Sequence, residues 1–301
     1  MTTLRTWRPR GLRAWLTAAV LMALGCRHAL AADPPGVATG DGAPAAGAPA
    51  LRVCVDPDNL PWSNEDGRGF EPRVAAIVAQ ALGRPLELVW QPMRRGFVRK
   101  TLVAHRCDVL AGVPTQLERV LVTRPYYRSS YVIVQRADLR PPLTGFDDPR
   151  LPSLRIGVQL IGNDLAASPP GHALARHGAI DHVTGFTVDG GETPAGERMV
   201  DAVARHELDA AFAWGPQVGW FAHAHAGRVN VREATPPPDL PLPFEFAISM
   251  AVRPGDGPLR DELQAALDAR RADIDAALAE YDVPRVDLAD AGDRPAAKVS
   301  P

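Results

Sequence analysis

The sequence predicts an α/β protein of two lobes, joined by hinge crossovers, with a cleft between them. Short β-rich segments alternate with segments of helical periodicity along most of the chain, which is typical of βαβ units and parallel sheets. Two proline-rich stretches, at residues 141–152 and 236–243, interrupt this alternation. Because a strand and a helix follow the second stretch, we expect the chain to cross between the lobes twice. Ligands of such hinged proteins lie between the lobes.

The amino terminus has the organisation of a secretory signal peptide over residues 1–31. Four Arg residues precede an apolar run of eleven residues, 14–24, which is too short to span a bilayer. An A-x-A cleavage site follows at 29–31. We therefore expect export to the periplasm and no membrane span, with lipidation of Cys26 as the alternative. Cleavage would leave 28 basic and 35 acidic residues, a net charge of −7 instead of −2.

Composition limits the function further. Of the 301 residues, 46% are hydrophobic and 23% are charged, which excludes wholesale disorder. The negative net charge argues against a nucleic-acid partner, because such proteins present a basic face. Residues 32–50 are rich in Pro, Gly and Ala and are expected to form a disordered linker. The tail, 286–301, is expected to be flexible for the same reason.

The first predicted lobe comprises residues 51–134 and 245–285. Its elements are strands at 51–55, 86–90, 109–113 and 131–134, helices at 70–81 and 97–105, a long strand at 246–252 and one final helix from Pro258 to Tyr281. Apolar residues of that last helix keep one face. The lobe also carries the two cysteines that remain after cleavage, Cys54 and Cys107. An even pair in an oxidising compartment suggests a disulfide, and two buried free thiols are the alternative.

The second predicted lobe comprises residues 135–244. Its strands are expected at 155–158, 183–188, 210–213 and 229–231, and its helices near His172, from Thr193-Pro194 and from Pro216. Thr193 and Pro194 suit the N-cap and first helical positions. His223 and His225 do not share a helical face, so no metal site is expected.

Several motifs resemble those of the type II periplasmic solute-binding proteins. They are Gly69-Phe70-Glu71, the segment 108–113, Pro125-Tyr126-Tyr127 and Gly157-Val158-Gln159. Six blocks in one order are similar to a narrower family, the methanol-oxidation J proteins (MoxJ and XoxJ), which are quinoprotein-dehydrogenase-associated substrate-binding proteins. The blocks are 52–64, 94–99, 106–109, 125–129, 157–162 with 172–174, and 214–216.

The resemblance implies a non-catalytic periplasmic binding protein that supports or activates a PQQ-dependent methanol or alcohol dehydrogenase. The cytochrome c of that enzyme is a further candidate partner. The alternative is a solute receptor of an ABC transporter for a small organic ligand other than an ordinary amino acid. In the implied fold, the strands beside Cys54 and Cys107 are sheet neighbours, so the resemblance also predicts a disulfide between them.

Amino-acid-binding members of the broad family clamp the ligand carboxylate with an Arg and the ammonium group with an Asp. In this chain Arg119 falls one residue late, and Trp214 occupies the position of the Asp. Without either charge the physical basis for binding a zwitterion is lost. We therefore expect that the cleft does not hold ordinary α-amino acids.

Candidate site residues follow from a rule of parallel sheets, in which residues beyond the carboxyl ends of the strands contact the ligand. The rule nominates a cleft for a ligand or a partner lined by Asp56, Asn59, Trp62, Arg94, Arg95, Tyr126, Tyr127, Gln159 and Trp214. Core packing is the alternative for the aromatic residues. Asp56 and Glu118 could act as acid or base, but nothing pairs with them, so no catalytic residue and no cofactor are expected.

Overall fold

A computed structural model describes residues 47–161, 166–187 and 193–288. The predicted signal peptide, and most of the predicted linker and tail, lie outside these residues. In chain order the amino-terminal elements are β1 (Leu51–Val55), β2 (Asp58–Asn59), β3 (Ser63–Asn64), α1 (Phe70–Ala81), β4 (Leu86–Trp90), a π-helix (Arg99–Val103), β5 (Val109–Pro114), β6 (Leu121–Val122) and β7 (Tyr127–Arg136).

A second series of elements follows a short 3-10 turn (Leu151–Ser153). They are β8 (Ile156–Ile161), β9 (Ala166–Ala167), α2 (Pro169–Arg176), β10 (Val183–Phe186), α3 (Ala195–Ala204), β11 (Ala210–Trp214), α4 (Gly215–Ala224), β12 (Val229–Glu233), β13 (Glu245–Val252), α5 (Gly257–Ala269) and α6 (Arg271–Glu280). The alternation of strands and helices therefore gives the α/β class that the sequence predicts.

The main strands lie in the order β10-β8-β11-β7-β13-β5-β1-β4. Strands β4, β1 and β5 are parallel to one another, and so are β10, β8 and β11. Strand β7 joins the two sets, because its first residues pair antiparallel with β13 and its later residues pair antiparallel with β11. Below, the first half means β1–β6 and β13 with α1, α5 and α6, and the second half means β8–β12 with α2–α4.

Apolar side chains cover both faces of each half. In the first half, α1, α5 and α6 bury residues such as Phe70 and Leu263 on one face, and Leu102 and Leu110 belong to a cluster on the other. The second half also has two clusters, one around Phe212 and one around Val203. Burial on both faces is what parallel strands require.

The disulfide between Cys54 and Cys107 is present, with a Cα–Cα distance of 5.6 Å, and confirms the expected pairing. Cys54 lies in β1, Cys107 lies two residues before β5, and these strands are neighbours. Both cysteines are buried in the cluster that contains Leu102 and Leu110. Among the described residues, the structure has no helix that is long and apolar enough to cross a membrane.

Two helices differ from the sequence predictions. The helix expected at 97–105 is shorter and irregular: the chain is helical from 97 to 103, with a π-helix at Arg99–Val103, and the helix ends before the backbone turns to positive φ at His105 (54°). The single final helix is in fact α5 and α6, which are separated at Arg270, where φ is −111° and ψ is 25°. Apolar residues keep one face on both sides of this break, so the periodicity alone does not reveal it.

Candidate functional site

A cavity of about 480 Å³ lies between the two halves, beside the carboxyl ends of their parallel strands. Seven of the nine candidates from the sequence line it: Asp56, Asn59, Trp62, Arg94, Tyr127, Gln159 and Trp214. A cavity of this volume, with apolar and polar walls, is of the size that holds small molecules. We call it the cleft.

Arg95 and Tyr126 do not reach the cleft. Arg95 is exposed on the loop after β4. Tyr126 is 2% exposed, and its hydroxyl donates a hydrogen bond to the carbonyl oxygen of Ala111 at 3.1 Å. Burial raises the pKa of this hydroxyl well above its ordinary value, so it stays protonated. Tyr126 therefore belongs to the core of the first half.

Asp56 connects the two loops that form one wall of the cleft. Its Oδ1 accepts a hydrogen bond from the backbone N–H of Asp58 at 2.9 Å, and its Oδ2 accepts one from that of Met93 at 2.5 Å. The Ser63 hydroxyl donates to the Asp56 carbonyl oxygen at 2.7 Å. The carboxylate thus holds the loop after β1 against the loop after β4, and this structural role accompanies any role in binding.

Trp62 is fixed by the start of α1. Its carbonyl oxygen accepts a hydrogen bond from the backbone N–H of Glu71, and the carbonyl oxygen of Pro61 accepts one from Phe70, both at 3.0 Å. Gly69 permits this contact, because its φ is 117° and a Cβ there would lie 2.2 Å from the Trp62 oxygen. The Gly69-Phe70-Glu71 motif therefore positions Trp62 and Glu71 together.

Glu71 is a buried acid in the cleft wall, and the sequence analysis did not include it among the site residues. Its side chain lines the cleft, although only 2% of the residue is exposed. Burial, with a smaller contribution from the charge of Asp56, raises the pKa of the carboxyl to about 8. Gly112 of β5 makes room for it, because a Cβ at that position would lie 2.5 Å from Glu71 Oε1.

On the opposite wall, Gln159 and two aromatic rings position Trp214. The Gln159 Oε1 accepts a hydrogen bond from the Trp214 backbone N–H at 2.8 Å, where α4 begins. The rings of Tyr131 and Phe246 meet the indole edge to face, with centroids 5.4 and 5.6 Å away. Tyr131 and Phe246 also line the cleft. The sequence rule missed them because they lie on the crossing strands β7 and β13.

Gln217 is a further cleft residue that the sequence analysis missed. It is the third residue of α4 and is 2% exposed. Its Oε1 has no hydrogen-bond partner among the described residues. A buried polar side chain in the first turn of an otherwise apolar helix is the signal that could have singled it out.

The segment that would supply the carboxylate clamp does not reach the cleft. Arg119 and Glu118 are exposed and lie outside its lining. The Thr115 hydroxyl donates to the Ala247 carbonyl oxygen at 3.0 Å and lies 2.7 Å from the Ser249 hydroxyl, so it is engaged with β13. Of the described residues that line the cleft, Arg94 is the only basic one.

The two-lobed fold and the cleft at the strand ends define a type II binding protein. The chain belongs to the bacterial extracellular solute-binding proteins, family 3, whose model matches residues 51–281, and within them it is MoxJ-like. It is 32% identical to Protein MoxJ of Methylorubrum extorquens AM1 over 288 residues, which cover 89% of this chain and 93% of that protein. Members of this family are solute-binding proteins, and the family points to an extracytoplasmic location.

Solved structures agree with this assignment. The periplasmic binding protein XoxJ from Methylobacterium extorquens AM1 is 33% identical, with a TM-score of 0.65 over 79% of this chain and 99% of that one. MxaJ from Methylophaga aminisulfidivorans MPT is 25% identical, with a TM-score of 0.69 over 78% of this chain and 100% of that one.

Proposed function

We propose that this chain is a non-catalytic periplasmic binding protein that supports or activates a PQQ-dependent methanol or alcohol dehydrogenase. The likeness to MoxJ over 89% of the chain carries the proposal, because the J proteins are associated with such dehydrogenases. The cytochrome c of the dehydrogenase is a further candidate partner. The predicted signal peptide and the extracellular solute-binding family support a periplasmic location.

The composition of the cleft supports a role other than amino-acid uptake. Trp214 occupies the place of the acid that would hold an ammonium group, and the segment around Arg119 lies outside the lining. The aromatic and polar residues that remain suit a partner side chain or a small organic molecule. We propose that the seven cleft residues predicted from the sequence contribute to this contact. Residues 51–134 with 245–285, and 135–244, are the proposed limits of the two lobes.

A solute receptor of an ABC transporter is the second candidate. The volume of the cleft, about 480 Å³, favours it, because a cavity of that volume can enclose a small molecule. Such a receptor must close on a solute and dock a permease through both lobes. A dehydrogenase partner needs only one lasting contact surface.

Capture of the tagged mature protein from the periplasm of its native host, grown on methanol, distinguishes the two candidates. We expect a PQQ-dependent dehydrogenase to be recovered with it. A permease without a dehydrogenase would contradict the proposal and favour the transport receptor.

Cleft variants then test where the dehydrogenase binds. The double variant Trp62→Ala, Trp214→Ala removes one indole from each wall. Trp90→Ala is the matched control, since Trp90 is a half-buried tryptophan outside the cleft. We expect the double variant to recover at least about tenfold less dehydrogenase than the control, the usual consequence of losing central aromatic contacts. Equal recovery would place the contact elsewhere on the surface.

A further inference from the structure

The charged side chains that line the cleft are mainly acidic. Asp56, Asp58 and Glu71 line it, and among the described lining residues the single basic one, Arg94, lies on an exposed loop. Carboxyl groups favour a ligand that carries positive charge or presents N–H or O–H donors. An excess of acids alone does not make a site, so a second and independent observation is needed.

Gln217 supplies that observation. The residue lines the cleft, is 2% exposed, and has an Oε1 without a partner among the described residues. A buried carbonyl oxygen that lacks a donor is costly, and such groups are rare in folded proteins. A bound molecule with a donor would satisfy it. Gln217 belongs to the second half and Glu71 to the first, so acceptors stand on both sides of the cleft.

Aromatic rings occupy much of the remaining wall. Trp62 and Tyr127 lie on the side of the first half. Trp214 of the second half forms the edge-to-face group with Tyr131 and Phe246, which belong to the crossing strands β7 and β13. The faces of aromatic rings attract organic cations, and the indole ring of Trp attracts them most strongly. Rings and carboxyl groups together therefore favour an alkylated cation over a hydrated inorganic one.

We propose that the cleft binds a small organic ammonium ion that carries no carboxylate. Glu71 and Asp56 provide the opposing charge, Gln217 accepts a hydrogen bond, and the rings contact the alkyl groups. An added carboxylate would face the three acids, so zwitterions are disfavoured. The inference goes beyond the proposed function, because it concerns a small ligand and not the dehydrogenase. Its failure would leave the recovery of the dehydrogenase unaffected.

Binding of such a cation is expected to be coupled to a proton. Burial, with a smaller contribution from the charge of Asp56, raises the pKa of Glu71 to about 8. The hydroxyls of Tyr126 and Tyr127 lie near this carboxyl and stay protonated, because burial raises their pKa values. Arg94 lines the same cavity. A bound cation stabilises the ionised carboxyl, so binding releases a proton. The affinity therefore rises with pH, by about tenfold between pH 6.5 and 8.5.

Titration of the mature protein with matched pairs of compounds tests the proposal. Choline is compared with its neutral isostere 3,3-dimethylbutan-1-ol and with glycine betaine, and n-butylammonium is compared with butan-1-ol. Calorimetry and tryptophan fluorescence are the readouts, because Trp62 and Trp214 line the cleft. We expect at least one cation to bind about tenfold more tightly than its neutral counterpart. No binding of either cation at about 10 mM, or equal affinity for the neutral compounds or the betaine, would overturn the proposal.

Two variants locate the ligand. Glu71→Gln resembles the protonated carboxyl in shape, so it should fold, yet it should weaken cation binding about tenfold and remove the pH dependence. Gln217→Leu removes an acceptor that has no partner among the described residues, and it should weaken binding about fivefold. Glu87→Gln is the control, because Glu87 is exposed outside the cleft. Unchanged affinity in both cleft variants would refute the assignment.

Discussion

The two halves of the sheet share an ionic arrangement at the edge away from the cleft, although they differ at the cleft itself. In the first half, Asp108 stands just before β5 and receives two hydrogen bonds from Arg52, at 2.8 and 3.0 Å, and one from Arg253 at 3.0 Å. Burial alone would raise the pKa of Asp108, but the two guanidinium groups lower it below its ordinary value.

In the second half, Asp209 stands just before β11 in the same way. It accepts hydrogen bonds from Arg136 at 2.7 Å and from Arg155 at 3.0 Å, and the backbone N–H of Arg155 donates a further one at 2.9 Å. Its pKa is also lowered, since these bonds outweigh burial. In each half, one carboxylate therefore links two parallel strands to an antiparallel neighbour. Asp108 links β1 and β5 to β13, and Asp209 links β8 and β11 to β7.

At the opposite edge the halves differ. The first half presents Asp56, Asp58 and Glu71 to the cleft, whereas the second half presents neutral side chains such as Gln159, Trp214 and Gln217. The comparison teaches that the two halves repeat the ionic arrangement at the edge away from the cleft, whereas the side chains at the cleft edge differ between them. The disulfide adds a covalent tie to the first half.

The largest effect is expected from removal of the disulfide. The double variant Cys54→Ala, Cys107→Ala opens a loop of 53 residues, and in the chain-entropy model this lowers the free energy of unfolding by about 4 kcal/mol. Urea denaturation monitored by circular dichroism measures the loss. Oxidised wild-type protein is the control, and an unchanged midpoint would mean that the cross-link does not contribute to stability.

The next largest effect is expected from Glu71, the buried acid on the side of the cleft that the first half forms. Because the folded-state pKa of Glu71 is raised to about 8 from its unfolded value, this carboxyl opposes folding as the pH rises. Stability should fall between about pH 4.5 and pH 8, by about 4 kcal/mol. Urea denaturation across this range should give a flatter profile for Glu71→Gln. Equal slopes in the variant and the wild type would show that Glu71 is not buried as an acid.

The shared ionic arrangement is tested by Asp108→Asn and Asp209→Asn. Each should lower the free energy of unfolding at pH 7 by about 2 kcal/mol, because two guanidinium groups lose their charged partner. Both folded-state pKa values are lowered. The stabilisation is therefore present above about pH 4 and is lost as the pH falls below it. Urea denaturation at pH 7 and pH 3 is the measurement. If only one of the two variants lost stability at pH 7, the two ionic arrangements would not be equivalent.

The smallest effect is expected at the glycine beneath Glu71. In Gly112→Ala the new Cβ would lie 2.5 Å from Glu71 Oε1 and displace the carboxyl, at a cost of about 1 kcal/mol. Gly145→Ala is the matched control, since nothing lies within 4 Å of the added Cβ there. Thermal unfolding should separate the two variants by a few degrees. Equal unfolding temperatures for the two variants would show that the Glu71 side chain moves aside without a cost in stability.

Local periodicity was enough to predict many of the strands and helices. Helix α1 and strand β4 begin and end where the spacing of apolar residues places them. Periodicity failed where a local change of the backbone dihedrals broke a helix, as at Arg270. The apolar spacing continues through such a break, so the sequence pattern alone does not show it.

The rule for strand ends located most of the candidate cleft, but it could not separate Tyr127 from Tyr126. Successive side chains of an extended segment point to opposite faces. Which face meets the cleft depends on the register of β7 against β13, a contact with residues more than a hundred positions away. Tyr126 therefore lies in the core, whereas Tyr127 lines the cleft.

By itself the sequence determined the α/β alternation and, through its motifs, the family and the cysteine pair. These features are encoded in neighbouring residues or in short blocks. Only the tertiary structure decided that Glu71 is held as a buried acid over Gly112, and that Gln217 lines the same cleft with an Oε1 that has no hydrogen-bond partner among the described residues. Burial and pairing depend on atoms brought together from distant segments, and the chemistry of the cleft follows from them.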